Sequence, residues 1–109
     1  MANHYQVTTT ASTKDDAARL AHLAVERRLA ACAQVSGPIT SVYRWEGRVE
    51  TDDEWICVFK TSARALRTLE EAIRAAHGYT TPEIVATPIE GGDADYLAWI
   101  DAGTSAPST

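Results

Sequence analysis

The sequence predicts one α+β domain, with two helices laid across one face of a four-stranded antiparallel sheet and a short helix at the end. Three observations predict it. Apolar residues alternate at period two in some segments and recur at helical spacing in the segments between them. Turn and cap residues separate those segments in the order βαββαβ. The composition, 45% apolar and 23% charged over 109 residues, is ordinary globular usage, and a chain of this length buries a core without disulfides or a structural metal.

The first strand is expected over residues 5–10, where Tyr5, Val7 and Thr9 alternate with Gln6 and Thr8. Ser12 and Thr13 are natural N-caps, and Asp15 and Asp16 then sit where a helix dipole favours anions. Ala17, Leu20, Ala21 and Ala24 share one face of that helix, small enough to lie close against a sheet, and the helix is expected to end near Leu29 or Ala30. The second strand, 31–45, is interrupted by Ser36-Gly37-Pro38, the mark of a bulge or bend. Glu46-Gly47 makes a tight hairpin turn into a third strand over 48–61. Its centre, Trp55-Ile-Cys-Val-Phe59, is apolar at every position, as in a strand buried on both faces.

Thr61 or Ser62 caps the second helix, whose core stripe is Leu66, Leu69, Ile73 and Ala76. It ends at His77, with Gly78 in the position that favours a left-handed residue. After the break at Thr81-Pro82 a fourth strand spans 83–89. Gly91-Gly92-Asp93 supplies a turn and an N-cap for a terminal helix on which Tyr96, Trp99 and Ile100 share a face. The domain therefore covers 1–101, and residues 102–109, small and uncharged, are expected to form a flexible tail.

Right-handed crossovers put both long helices on the same side of the sheet, the ferredoxin-like arrangement. One sheet face then has no helix, although the third strand is apolar on both sides. Trp45 and Trp55, on an unusually long hairpin, add further bulk. Contiguous apolar surface on a small domain marks an interface, and a homo-oligomer is the economical way to cover it.

The net charge of −5 opposes binding to nucleic acid or to anionic membranes. No apolar run approaches the roughly 18 to 20 residues of a transmembrane helix. The first residues carry neither the basic flank nor the apolar stretch of a signal peptide, so a cytoplasmic location is expected. Cys32 and Cys57 are far apart with no CxxC spacing, which suits reduced thiols packed as small apolar groups.

Read alone, the residues that could carry chemistry are few. His77, at a helix C-terminus, is a possible ligand or base, though a residue that only complements the helix dipole explains it more simply. Cys32 near Lys60 is a possible nucleophile, though packing explains it more simply. Glu83 opens the last strand and reads as a solvent-facing strand end. Gly47-Arg48-Val49 lies in the wrong loop for an acylphosphatase-type phosphate site, and Gly91-Gly92 lacks a phosphate-loop pattern. A lone histidine with scattered carboxylates does not make a closed zinc site.

Five segments in order resemble the CutA family of divalent-cation tolerance proteins. They are Arg28-Leu-Ala-Ala-Cys-Ala33, Ile39-Thr-Ser-Val-Tyr-Arg-Trp-Glu-Gly47, Lys60-Thr61, His77-Gly-Tyr-Thr-Thr-Pro-Glu-Ile84 and Tyr96-Leu-Ala-Trp-Ile100. The resemblance implies a ferredoxin-like fold assembled as a tight homotrimer, related in architecture to the PII signalling proteins. It gives Trp45, Trp55 and Trp99 an interface role. The copper ligands proposed for the family, a cysteine ending the first strand and two histidines ending the second helix, fall here on Thr9, Ala76 and His77. Only His77 keeps a ligating side chain, because hydroxyl and methyl do not replace thiolate and imidazole for a soft cation. Cys32, Tyr43, Lys60, Tyr79 and Glu83 join His77 as residues implied for a cleft between subunits.

The leading expectation is a cytoplasmic homotrimer, a non-enzymatic binding protein of divalent-metal tolerance that requires no cofactor, with copper as the possible ion. The alternative is a PII-like sensor of a small anionic metabolite that uses Lys60 and His77 in the inter-subunit cleft. An enzyme with Cys32 as nucleophile is a third, more distant class.

Overall fold

The computed structural model describes residues 2–106. Its elements are β1 (His4–Ala11), α1 (Lys14–Glu26), β2 (Cys32–Trp45), β3 (Arg48–Ser62), α2 (Ala63–Ala76), β4 (Val85–Pro88) and α3 (Ala94–Gly103). The sheet is antiparallel in the order β2-β3-β1-β4, the α+β arrangement expected. β1 and β3 form its centre, paired from His4 opposite Ser62 to Ala11 opposite Trp55.

Strand alternation decides what each face holds. Val7, Cys57 and Phe59 point to the helices and are fully buried with Leu20, Ala24, Leu69 and Ile73. The intervening residues form the other face, where Ile56 and Val58 are only half-buried among Thr8, Gln34 and Ser36. The expectation that the centre of β3 is buried on both sides is therefore corrected for the single chain. On the helix-free face the apolar strip runs from Ile56 and Val58 to the exposed Val85, and further exposed apolar groups are Val42, Trp45 and Val49 on the hairpin and Trp99 on α3.

α1 starts where expected, with Thr13 Oγ1 accepting the Asp16 N–H at 3.0 Å. It ends three residues early, at Glu26. Arg28 takes a left-handed conformation (φ 59°), and the N–H groups of Arg28 and Leu29 return to Val25 and Ala24. This is a Schellman stop built without glycine, at a backbone cost of about 1 kcal/mol. Two contacts offset it. Leu29 is fully buried, and the Arg28 guanidinium donates to the carbonyl of Ala102 at 2.8 Å.

α2 also stops differently from expectation. His77 turns extended at φ −73°, ψ 145°, so no left-handed Gly78 closes the helix. Ser62 occupies the N-cap position of α2 without a side-chain cap bond, and its hydroxyl pairs with that of Thr104 instead. β4 is shorter than the 83–89 expected, because the chain leaving Pro82, which has no N–H to give a ladder, meets β1 only at Val85 opposite Thr8. At the other end α3 runs to Gly103, and Thr104 is fully buried, with its hydroxyl bonded to Ser62 and Ile100. The start expected for the tail, Ala102, thus lies inside a docked helix; residues 107–109 fall outside the described residues.

The β2–β3 hairpin turns on Glu46 and Gly47, both at positive φ, the two-residue geometry that matches strand twist. Ser36-Gly37-Pro38 makes the expected register shift, with a cis Gly37–Pro38 bond. There the Trp55 indole lies over the backbone, so a Cβ at position 37 would sit 2.6 Å from Trp55 Cδ1 and 3.0 Å from the Glu54 carbonyl oxygen. Gly37→Ala should therefore lower stability by about 1–3 kcal/mol through overpacking. Gly47→Ala, with nothing within 4 Å of its new Cβ, should lose only about 1 kcal/mol from its backbone conformation. Urea unfolding of the two variants checks that order; an equal or smaller loss at Gly37 would show that Trp55 moves aside freely.

Candidate functional site

β1 stops at Ala11, opposite Trp55, while β2 and β3 continue together to the hairpin turn. Arg48 to Glu54 therefore pair with β2 alone, and this overhanging ribbon is about 23 Å long at the usual strand rise. The segment from Gly78 to Glu83 passes beneath it. A groove of about 860 Å³ lies between them, lined by Thr10, Ser12, Ser41, Tyr43, Trp45, Asp52, Asp53, Glu54, Tyr79 and Glu83 among others.

Two phenols donate to carboxylates of β3, one from the neighbouring strand of the ribbon and one from the segment beneath it. Tyr43 donates to Asp52, and Tyr79 donates to Glu54 Oε2 at 2.7 Å. Tyr79 is aimed by its neighbour: its backbone N–H donates to His77 Nδ1 at 3.0 Å, and the two rings pack at 4.8 Å between centroids. Because Nδ1 accepts, the ring proton is assigned to Nε2, which donates to the Thr10 carbonyl at 2.7 Å. The hydrogen bond to Asp52 pushes the Tyr43 phenol up to about 12, with smaller effects from desolvation and from the Asp52, Glu50 and Glu54 charges. Desolvation, followed by the Glu54 bond and charge, likewise raises Tyr79. Both phenols are thus neutral donors at physiological pH.

The residues singled out from the sequence fall into two groups within one chain. Tyr43, Tyr79 and Glu83 line the groove, and His77 braces it from behind. Cys32 and Lys60 are cross-strand partners toward the opposite end of the sheet, about 20 Å from Glu54 along β3. There Lys60 Nζ donates to Gln34 Oε1 at 2.8 Å, and Cys32 Sγ lies 3.5 Å from the Tyr96 hydroxyl. Burial pushes the other thiol, Cys57, up to about 12, which leaves it unreactive at neutral pH. Trp45 reaches the groove, Trp99 stacks on Tyr96 at 5.5 Å, and Trp55 is half-buried against the core.

The three positions that the resemblance implied for copper, Thr9, Ala76 and His77, are used for folding. Thr9 is fully buried, Ala76 packs on the core, and both His77 nitrogens are engaged with backbone groups. Among the described residues no three His, Cys, Asp or Glu side chains converge as metal ligands. Sequence reasoning missed Asp52, Asp53 and Glu54. The signal was present, since acidic residues are depleted in strands and Glu50, Asp52 and Glu54 recur at period two in this one.

The raised Tyr43 pKa carries a sign. A phenol whose folded value lies above the ordinary 10.0 contributes stability that is intact below pH about 10 and fades as pH rises towards about 12. Asp52→Asn should bring Tyr43 ionisation down towards its ordinary range, read from tyrosinate absorbance in a pH titration. An unchanged curve would remove Asp52 as the cause.

Comparison with known proteins follows the same outline. A family model for the CutA1 divalent ion tolerance protein matches residues 5–103. The chain is 42% identical over 95 residues to the divalent-cation tolerance protein CutA of Thermus thermophilus, across 87% of this chain and 92% of that protein. It is 41% identical over 95 residues to the chloroplastic protein CutA 1 of Oryza sativa, across 87% of this chain and 54% of the relative, so it spans about half of that longer protein. The solved structure of the Thermus thermophilus protein matches at TM-score 0.89 with 40% identity, over 93% of this chain and 98% of that one. The CutA1 structure from Ehrlichia chaffeensis matches at 0.90 with 31% identity, over 95% and 97%. With its fold, its order of motifs and residues 5–103 all matched, the chain belongs to the CutA1 divalent ion tolerance family.

Proposed function

We propose that this chain acts as a homotrimer, a non-enzymatic binding protein of divalent-cation tolerance whose ligands sit in clefts between subunits. The overhanging ribbon carries the reading. A two-stranded hairpin is marginal in water without a third surface. This one exposes Val42 at 65%, Trp45 at 47% and Val49 at 63%, while α3 presents Tyr96 and Trp99. A second copy seated against the ribbon would cover that surface, and the family resemblance makes the number of copies three. The same packing could bring Cys32 and Lys60 of one subunit beside the Tyr43–Tyr79 groove of the next.

Copper enters the reading through the resemblance alone, since His77 keeps no free ring nitrogen for an ion. The cytoplasm is supported by two unpaired cysteines, although two related proteins are named as chloroplastic and one as periplasmic. A PII-like sensor of an anionic metabolite has less support, because Lys60 is tied to Gln34 and the groove carries four carboxylates.

Sedimentation equilibrium at micromolar protein should give three times 11.8 kDa, and Trp45→Glu or Val49→Glu should shift the population towards smaller species. A stable monomer would overturn the assembly. Calorimetric titration with Cu²⁺ of the parent and of His77→Gln tests the metal: no binding by either removes copper, and equal binding by both moves it away from His77.

A further inference from the structure

We propose that Tyr79, aimed by His77, is a pin that meets β3 where β1 has ended and sets the attitude of the β2–β3 ribbon against the core. It deepens the function proposed above by naming what presets the docking surface for a second copy. It rests on that reading only for the step from pin to assembly.

β1 ends opposite Trp55, so Glu54 is the first residue towards the hairpin turn at which β3 has β2 alone beside it. A two-stranded ribbon that leaves a sheet at such a point swings about its root unless a third element holds it. Tyr79 is that element. Its hydroxyl donates to Glu54 Oε2 at 2.7 Å, at the first position that β1 leaves unpaired. A hydrogen bond to an ionised acceptor is roughly twice as strong as one between neutral groups.

The bond orients the ribbon only because the phenol is itself fixed. The Tyr79 N–H donates to His77 Nδ1 at 3.0 Å, and the two rings pack at 4.8 Å between centroids. His77 Nε2 is bonded in turn to the carbonyl of Thr10, a buried residue of β1, at 2.7 Å. Thr10 pairs with Ile56, two residues along β3 from Glu54. The path from β1 through imidazole and phenol to β3 therefore closes on itself, as a brace does. His77 is a positioning residue in this path, acting through Tyr79. The other phenol bond differs in kind: Tyr43 and Asp52 lie on the two paired strands of the ribbon, so their contact stiffens the ribbon without tying it to the core.

Residual dipolar couplings of the weakly aligned, assembled protein test the pin, because they report how the ribbon amides 44–50 are oriented relative to the core amides 55–61. Tyr79→Phe keeps the ring and removes the hydroxyl. It should scale down the ribbon couplings and leave the core couplings in place. Glu54→Ala and His77→Ala should do the same, Glu54→Gln, which keeps an acceptor, should restore most of the loss, and Tyr43→Phe should cause none. Nitrogen shifts of the His77 ring should place its proton on Nε2; a proton on Nδ1 removes His77 from the path. Unchanged ribbon couplings in Tyr79→Phe, an equal loss in the core, or the same loss in Tyr43→Phe would overturn the pin, with thermal unfolding confirming that each variant is folded. Sedimentation on dilution should show Tyr79→Phe dissociating at a concentration about threefold to thirtyfold higher than the parent. A monomeric parent whose ribbon loosens in Tyr79→Phe refutes the assembly alone. A trimer whose dissociation does not shift although its ribbon loosens refutes the link from pin to docking alone.

Discussion

The molecule is organised by a mismatch of length between its two central strands. β3 has 15 residues and β1 has 8, and they are in register only from Trp55 onward. The shared half builds the core: Val7 faces Phe59 and Thr9 faces Cys57 beneath α1 and α2. The unshared half projects as a ribbon and stretches the chain to 44 Å in its longest dimension. The radius of gyration, 14.3 Å, exceeds the roughly 13 Å of a compact domain of this length. A core rigid enough to hold the base of the ribbon and a ribbon with no third strand of its own are two results of one register.

That register also sets the chemistry of the groove. Acidic side chains alternating along the free half of β3 would repel one another on a fully solvated strand. Here two of them meet phenols delivered from different elements, Tyr43 from β2 and Tyr79 from the segment after α2. His77 links this arrangement to the core, since its ring spans from the last turns of β1 to the Tyr79 backbone. A substitution at His77 would therefore disturb the position of Tyr79 before it disturbed any bound ion.

Most of the topology was legible because it is written in periodicity and in turn chemistry. The Glu46-Gly47 turn, the bulge at Ser36-Gly37-Pro38 and the stripe of Leu69 and Ile73 each announce themselves through residues with few alternatives. The helix ends were less legible. Arg28 does what glycine usually does because Ala102 accepts its guanidinium, a partner 74 residues away. Thr104 looks like tail, yet Ser62 and Ile100 give its hydroxyl a buried place. Such contacts are long-range, and local composition carries no trace of them. The candidate cleft was half legible for the same reason: motif order named Tyr43, Tyr79 and Glu83, but only pairing register separates them from Cys32 and Lys60.

The three positions that the resemblance implied for a metal have other work in this fold. Thr9 sits opposite Cys57 in the core, and its buried hydroxyl oxygen has no hydrogen-bond partner among the described residues. An unpaired buried hydroxyl is a cost of about 1–3 kcal/mol, so the Thr9 side chain contributes to the core through its volume rather than its polarity. Ala76 offers only a methyl group to the same core. Both His77 ring nitrogens are engaged with backbone groups, at the residue where α2 ends by turning extended. All three positions now serve packing and chain direction.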